Sequence, residues 1–134
     1  MRPITQRTYA HEYGLITWAM QLAKLQGGTT LSINTGNEAD FASGYIVGVK
    51  KLYSGLFSDA DIPVLAAQLS TVSNEMHFGS WLADGILHLD IVRHVESLGR
   101  ALEIARNNNE LAIWDCANKR DIYVDSINPV DDDR

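Results

Sequence analysis

Cysteine is nearly absent from this chain: Cys116 is the only one in 134 residues. An intramolecular disulfide is therefore excluded, no cysteine-based zinc cluster can be assembled, and a reducing cytoplasm is the expected compartment. Positive charge is also scarce, with 11 Lys and Arg against 17 Asp and Glu for a net charge of −6. Duplex nucleic acid is not an expected partner, because binding it requires clustered cations that release counterions. A small anionic ligand needs only two or three local cations and stays open. No stretch approaches the roughly 18 uninterrupted apolar residues of a membrane span, and Met1-Arg2-Pro3-Ile4-Thr5-Gln6-Arg7 has no apolar signal core, so no membrane partner is expected. The phosphate-binding Gly-rich loop ending in Lys-Ser/Thr, the Gly-x-Ser-x-Gly elbow and the His-Glu-x-x-His helix are all missing. No catalytic residues are assigned, and the chain reads as a binding protein and not as an enzyme.

What is present fits one compact domain over residues 1–127, with 46% apolar residues overall. Residues 128–134, with Pro129 and three consecutive Asp, read as a disordered acidic tail. Thr8 to Leu25 has helical spacing and stops at Gly27-Gly28. Two apolar sets, His11/Leu15/Trp18/Leu22/Leu25 and Tyr13/Ile16/Met20/Ala23, lie on different sides of it. One is expected to cover the sheet; the other suggests a subunit interface, with a helix buried on both sides within one chain as the alternative. Thr29–Ile33 and Gly44–Val49 read as two strands that pair with each other, and Ser58–Ser73 reads as a helix with Pro63 in its first turn. A third helix opens at Glu96-Ser97-Leu98 and ends at Asn107-Asn108-Asn109. Strands over 111–115 and 121–124 close the chain. The order αββαββαββ predicts an α+β fold: a mostly antiparallel sheet, about three helices, and oligomerisation through the N-terminal helix.

The richest stretch is His77 to Ile91. Asp84-Gly85 is a strong signal for a type I′ hairpin, whose central residues both need positive φ. A two-residue turn sets Ala83 opposite Ile86, Leu82 opposite Leu87, Trp81 opposite His88 and Gly79 opposite Asp90. Alternation then gives a greasy face of Phe78, Leu82, Leu87, Leu89 and Ile91, and a second face of Trp81, His88, Asp90 and a bare Gly79. His77 and His88 approach across this hairpin without a third ligand, so no metal or other cofactor is expected. His88 with Asp90 has the composition of an acid–base pair but no accompanying nucleophile or oxyanion site. Binding fits better: Phe78 or Trp81 stacks a base, Arg93 and Arg106 hold phosphate, and Asp90 with Asn108 reads ribose or base edges, with His88 beside them.

The runs Thr35-Gly36 … Ser43-Gly44-Tyr45-Ile46-Val47, Phe78-Gly79-Ser80-Trp81 … Leu87-His88-Leu89-Asp90 and Ala101 … Ala105 … Leu111-Ala112-Ile113-Trp114-Asp115 resemble a family of small phage proteins, the first-described family of Thoeris anti-defence proteins. The likeness covers about residues 29–124. It implies immune evasion in the host cell cytoplasm by a homo-oligomer, dimer or hexamer, that sequesters a cyclic ADP-ribose-type signal, and in some relatives a cyclic oligonucleotide, without cleaving it. The chain departs from the family pattern at Ser80, where Thr is usual, at His88, where Tyr is usual, and at Glu110, where Gln is usual. A protein-binding inhibitor or structural phage protein acting on a host protein is the alternative.

Overall fold

A computed structural model describes residues 7–126 of the chain. Helix α1 (Tyr9–Gln26) begins where the Thr8 hydroxyl accepts the His11 N–H at 3.1 Å and ends at Gly27, whose φ is 93°. The hydroxyl satisfies one of the orphan donors of the first turn, and glycine takes the left-handed conformation without a Cβ clash. Strands β1 (Gly28–Ser32) and β2 (Tyr45–Gly55) follow. A 3₁₀ turn over Asp59–Asp61 leads into α2 (Ile62–Leu69), with Pro63 in the first turn and the Ser58 N–H donating to Asp61 Oδ2 at 3.0 Å. Next come β3 (His77–Ala83), β4 (Ile86–Val95) and α3 (Leu98–Asn107), the last capped by the Ser97 hydroxyl accepting from the Arg100 N–H at 3.2 Å. Strands β5 (Ala112–Asp115) and β6 (Arg120–Tyr123) complete the sheet.

The α+β class and the order αββαββαββ are those the sequence predicts, and the six strands form one antiparallel sheet in the order β1-β3-β4-β2-β5-β6. One pairing differs. β1 and β2 are not neighbours: Thr30 lies opposite Gly79 of β3, and Tyr45 lies opposite Asp115 of β5. Sequence proximity suggested a hairpin, but the segment after β1 folds back on that same strand, with Ala39 N–H donating to Thr30 O at 2.8 Å and Leu31 bridging Glu38. That leaves β1 only its other side for a sheet partner. The expected acidic tail, 128–134, lies outside the described residues.

The chain divides into two compact units. One holds residues up to Ala39 with Lys51–Ile91. In it α1 packs on β1, β3 and α2. The buried stripe of α1 is Glu12, Leu15, Ile16, Ala19, Leu22 and Ala23, which takes members from both predicted sets and leaves Tyr9, Tyr13, Trp18 and Leu25 exposed. Full burial of each Leu or Ile contributes about 1.5–3 kcal/mol, so position on the helix outweighs the greater area of Trp18. The polar member of this stripe is paired: Arg7 Nε donates to Glu12 Oε1 at 2.5 Å, with side-chain exposures of 4% and 2%. The same guanidinium donates to Asn74 Oδ1, Leu69 O and Val72 O, satisfying carbonyls at the end of α2.

The other unit holds Asp40–Lys50 and the chain from Val92 on. Val47, Ala101, Leu102, Ile104, Ala105, Ile113 and Val124 form its core, with α3 packed on β5. Asp115 is buried and organises the β5–β6 loop: Asn118 donates to it from its backbone N–H at 3.3 Å and from Nδ2 at 2.8 Å. These hydrogen bonds hold the Asp115 carboxyl below its ordinary pKa of 3.8.

Candidate functional site

The β3–β4 hairpin is closed by Asp84 and Gly85 at φ 52° and 80°, the positive pair a type I′ turn demands. With β3 ending at Ala83 and β4 starting at Ile86, alternation separates two faces. Phe78, Leu87, Leu89 and Ile91 are buried on one, where the Ser80 hydroxyl donates to Ala19 O of α1 at 2.8 Å. Trp81, His88 and Asp90 lie on the other, and the Trp81 and His88 rings meet with centroids 5.1 Å apart and planes 31° from parallel.

Two residues of β2 complete the cluster. Lys51 Nζ is 3.4 Å from His88 Nδ1 and 3.6 Å from Asp90 Oδ1, and Ser54 Oγ is 3.2 Å from the same His88 nitrogen. An ammonium can only donate, so the approach of Lys51 suits an Nδ1 that accepts, whereas the Ser54 hydroxyl can donate or accept there. Burial first, and the Lys51 charge second, push the His88 pKa below the ordinary 6.5, which favours the neutral ring. The indole, the imidazole and the ammonium thus meet on one face of the hairpin.

The predicted site residues divide by position. Trp81, His88 and Asp90 are brought together in one unit, whereas Arg93, Arg106 and Asn108 belong to the other. Phe78 is a correction: its side chain is fully buried on the α1 side of β3 and offers no ring to a ligand. A strand turns successive side chains to opposite faces, so Phe78 cannot share the platform of Trp81. Asn108 is also occupied, its Nδ2 donating to Ile104 O at the end of α3. Arg93 is exposed on β4 and Arg106 is half-buried on α3.

Lys51 and Ser54 were not foreseen. Residues three apart on a regular strand face opposite ways, so no periodicity in Lys50-Lys51-Leu52-Tyr53-Ser54 places both beside one histidine. Both nonetheless reach the same His88 nitrogen, Lys51 on a long flexible stem. Among the described residues no three His, Cys, Asp or Glu side chains converge as metal ligands. Cys116 is buried, and burial raises its thiol above the ordinary 9.0, which keeps it protonated near neutrality. Among the described residues no helix is long and apolar enough to cross a membrane. No protein-family model, curated protein or solved structure matches the chain.

Proposed function

We infer that this chain binds a nucleotide-type ligand without transforming it, and acts as a phage anti-defence sponge for a cyclic ADP-ribose-type immune signal. The observation that carries the binding half of this reading is the Trp81–His88–Lys51 cluster, an indole adjoining an imidazole and an ammonium on one side of a hairpin. Base–aromatic stacking and charge-assisted hydrogen bonds are the two interactions a nucleotide needs. The identity of the signal, and its extension to cyclic oligonucleotides, rest on the resemblance of the Gly44–Val47, Phe78–Asp90 and Leu111–Asp115 runs to the Thoeris anti-defence proteins. Ser54 Oγ lies 3.2 Å from His88 Nδ1, within the reach of a nucleophile–base pair, so capture without turnover rests on the same resemblance and not on this contact. The working form is a homo-oligomer, dimer or hexamer, in the host cytoplasm, joined through the exposed side of α1.

The second reading, a protein that docks on a host protein, is favoured by Tyr9, Tyr13 and Trp18 standing exposed along α1. Native mass spectrometry with added cyclic ADP-ribose separates the two. The sponge reading expects a mass gain of one ligand per site and chemically unchanged nucleotide after denaturation. No gain with cyclic ADP-ribose isomers or cyclic oligonucleotides removes it and leaves the protein-docking reading; a released hydrolysis product removes the non-catalytic claim.

A further inference from the structure

Strand β2 has a side that its own sheet does not fill. It runs for 11 residues, yet β5, its neighbour on the side away from β4, pairs with it only at Tyr45 and Ile46. Beyond Ile46 no strand among the described residues lies on that side. Exposure follows the pairing. Ile46, Val47 and Gly48 are buried, with the Glu110 side chain in the space that a Cβ of Gly48 would take, whereas Lys50, Lys51 and Ser54 are exposed. The open side of a strand presents backbone N–H and C=O groups that template pairing with another chain. The end of this edge is braced: Tyr53 Oη donates to Leu56 O at 2.6 Å, and the Tyr53 and Phe57 rings meet edge to face with centroids 5.6 Å apart. Leu56, next along the chain, is 79% exposed.

We propose that β2 pairs edge to edge with β2 of a second copy of this chain, antiparallel over Lys50–Ser54, with Leu52 on the two-fold axis. Two antiparallel strands related by such an axis set one residue opposite its own copy and pair the rest symmetrically about it. With Leu52 at the centre, Lys51 faces Tyr53 and Lys50 faces Ser54 of the other copy, so no like charges stand directly opposite. The half-buried Leu52 gains cover from its twin. The antiparallel direction also brings Lys50 of each copy to the end where the acidic turn of the other, Asp59 and Asp61, follows the strand, so the charges at the two ends are complementary. This contact is separate from the one assigned above to α1, and two different isologous contacts in one chain build assemblies larger than a dimer. It rests on the homo-oligomer reading, and its test is arranged so that the two contacts fail separately.

The test uses the full chain. Leu52→Cys is expected to give a disulfide-linked dimer under mild oxidation, because Cβ atoms directly opposite in an antiparallel pair are about 4.5–5.5 Å apart. The native Cys116 is buried and does not compete. Lys50→Cys should stay unlinked, since its copy lies roughly 13 Å away along the strand. Leu52→Glu and Leu52→Lys should each about halve the mass of the assembly in sedimentation equilibrium, by setting like charges face to face. Mixing the two in equal amounts should restore it, a rescue that misfolded variants cannot give. The proposal is overturned if Lys50→Cys links as readily as Leu52→Cys, if the charged variants keep the mass of the unaltered chain, or if mixing them restores nothing. Trp18→Glu, on the exposed side of α1, separates the contacts: an assembly lost with Trp18→Glu but kept with both charged Leu52 variants leaves the α1 contact standing and removes this one. An unaltered chain that sediments as a monomer removes both.

Discussion

At the scale of single residues, the Arg7–Glu12 pair shows how a charge in the core is tolerated. Both side chains are almost wholly buried, and taking two ions out of water is repaid only when their hydrogen bonds are filled. Arg7 fills its own through Glu12, Asn74, Leu69 O and Val72 O, whereas Glu12 Oε2 is buried without a hydrogen-bond partner. Removing one partner strands the other, so Arg7→Met is expected to cost about 3–5 kcal/mol, whereas Arg7→Met with Glu12→Leu should recover much of that loss. Urea melts of the two variants check this, and a double variant as unstable as the single one would refute it. Glu12 also shows a limit of pattern reading. A carboxylate in the middle of an apolar stripe is invisible to periodicity, because its burial depends on a guanidinium five residues earlier and on carbonyls from another helix.

At the scale of elements, glycines that look alike in sequence do different jobs. Gly85 in the β3–β4 turn has φ 80° with open space where a Cβ would stand, so Gly85→Ala carries only the left-handed backbone penalty of about 1–2 kcal/mol. Gly44, at the start of β2, has φ 81°, and a Cβ there would lie 2.8 Å from Val95 O and 2.5 Å from His94 Nε2. His94 is stacked on Phe41 and hydrogen-bonded to Ser43 O at 2.7 Å, so it has little room to withdraw. Gly44→Ala is therefore expected to lower the melting temperature by clearly more than Gly85→Ala. Equal shifts in a side-by-side thermal scan would sink this assignment. The hairpin was legible from its Asp84-Gly85 pair because turn chemistry is local. The partner of β1 was not, since only the fold-back at Leu31–Glu38 and the register with β3 decide it. The same holds for the candidate site. Trp81, His88 and Asp90 follow from hairpin alternation, but Lys51 and Ser54 arrive from a strand more than thirty residues away, which alternation within the hairpin cannot reveal.

For the whole molecule, the shifted groups set how stability responds to acid. His88 resists protonation in the fold, so the unfolded chain binds more protons than the native one below about pH 6.5. Stability is then complete above the unfolded value and declines as pH falls through the lowered folded pKa of this histidine. Asp115 and Asp40 are also lowered, Asp115 by Asn118 and Asp40 by its hydrogen bond and charge pairing with Lys119. Their contribution is present above 3.8 and is lost as pH falls further, Asp40 counting for little because it is exposed to screening solvent. Asp121 acts in the opposite sense: burial raises its pKa, so it binds a proton more readily in the fold and softens the acid limb just above 3.8. The expected profile has a shallow loss beginning below pH 6.5, then a steeper loss below 3.8. His88→Gln should flatten the first limb and leave the second, and Asp115→Asn should lower stability at neutral pH while flattening the second. Urea midpoints measured from pH 8 to pH 3 read both effects. A single steep loss near pH 4, unchanged by His88→Gln, would mean that His88 titrates as an ordinary solvated histidine and that its contacts with Lys51 and Ser54 do not hold in solution.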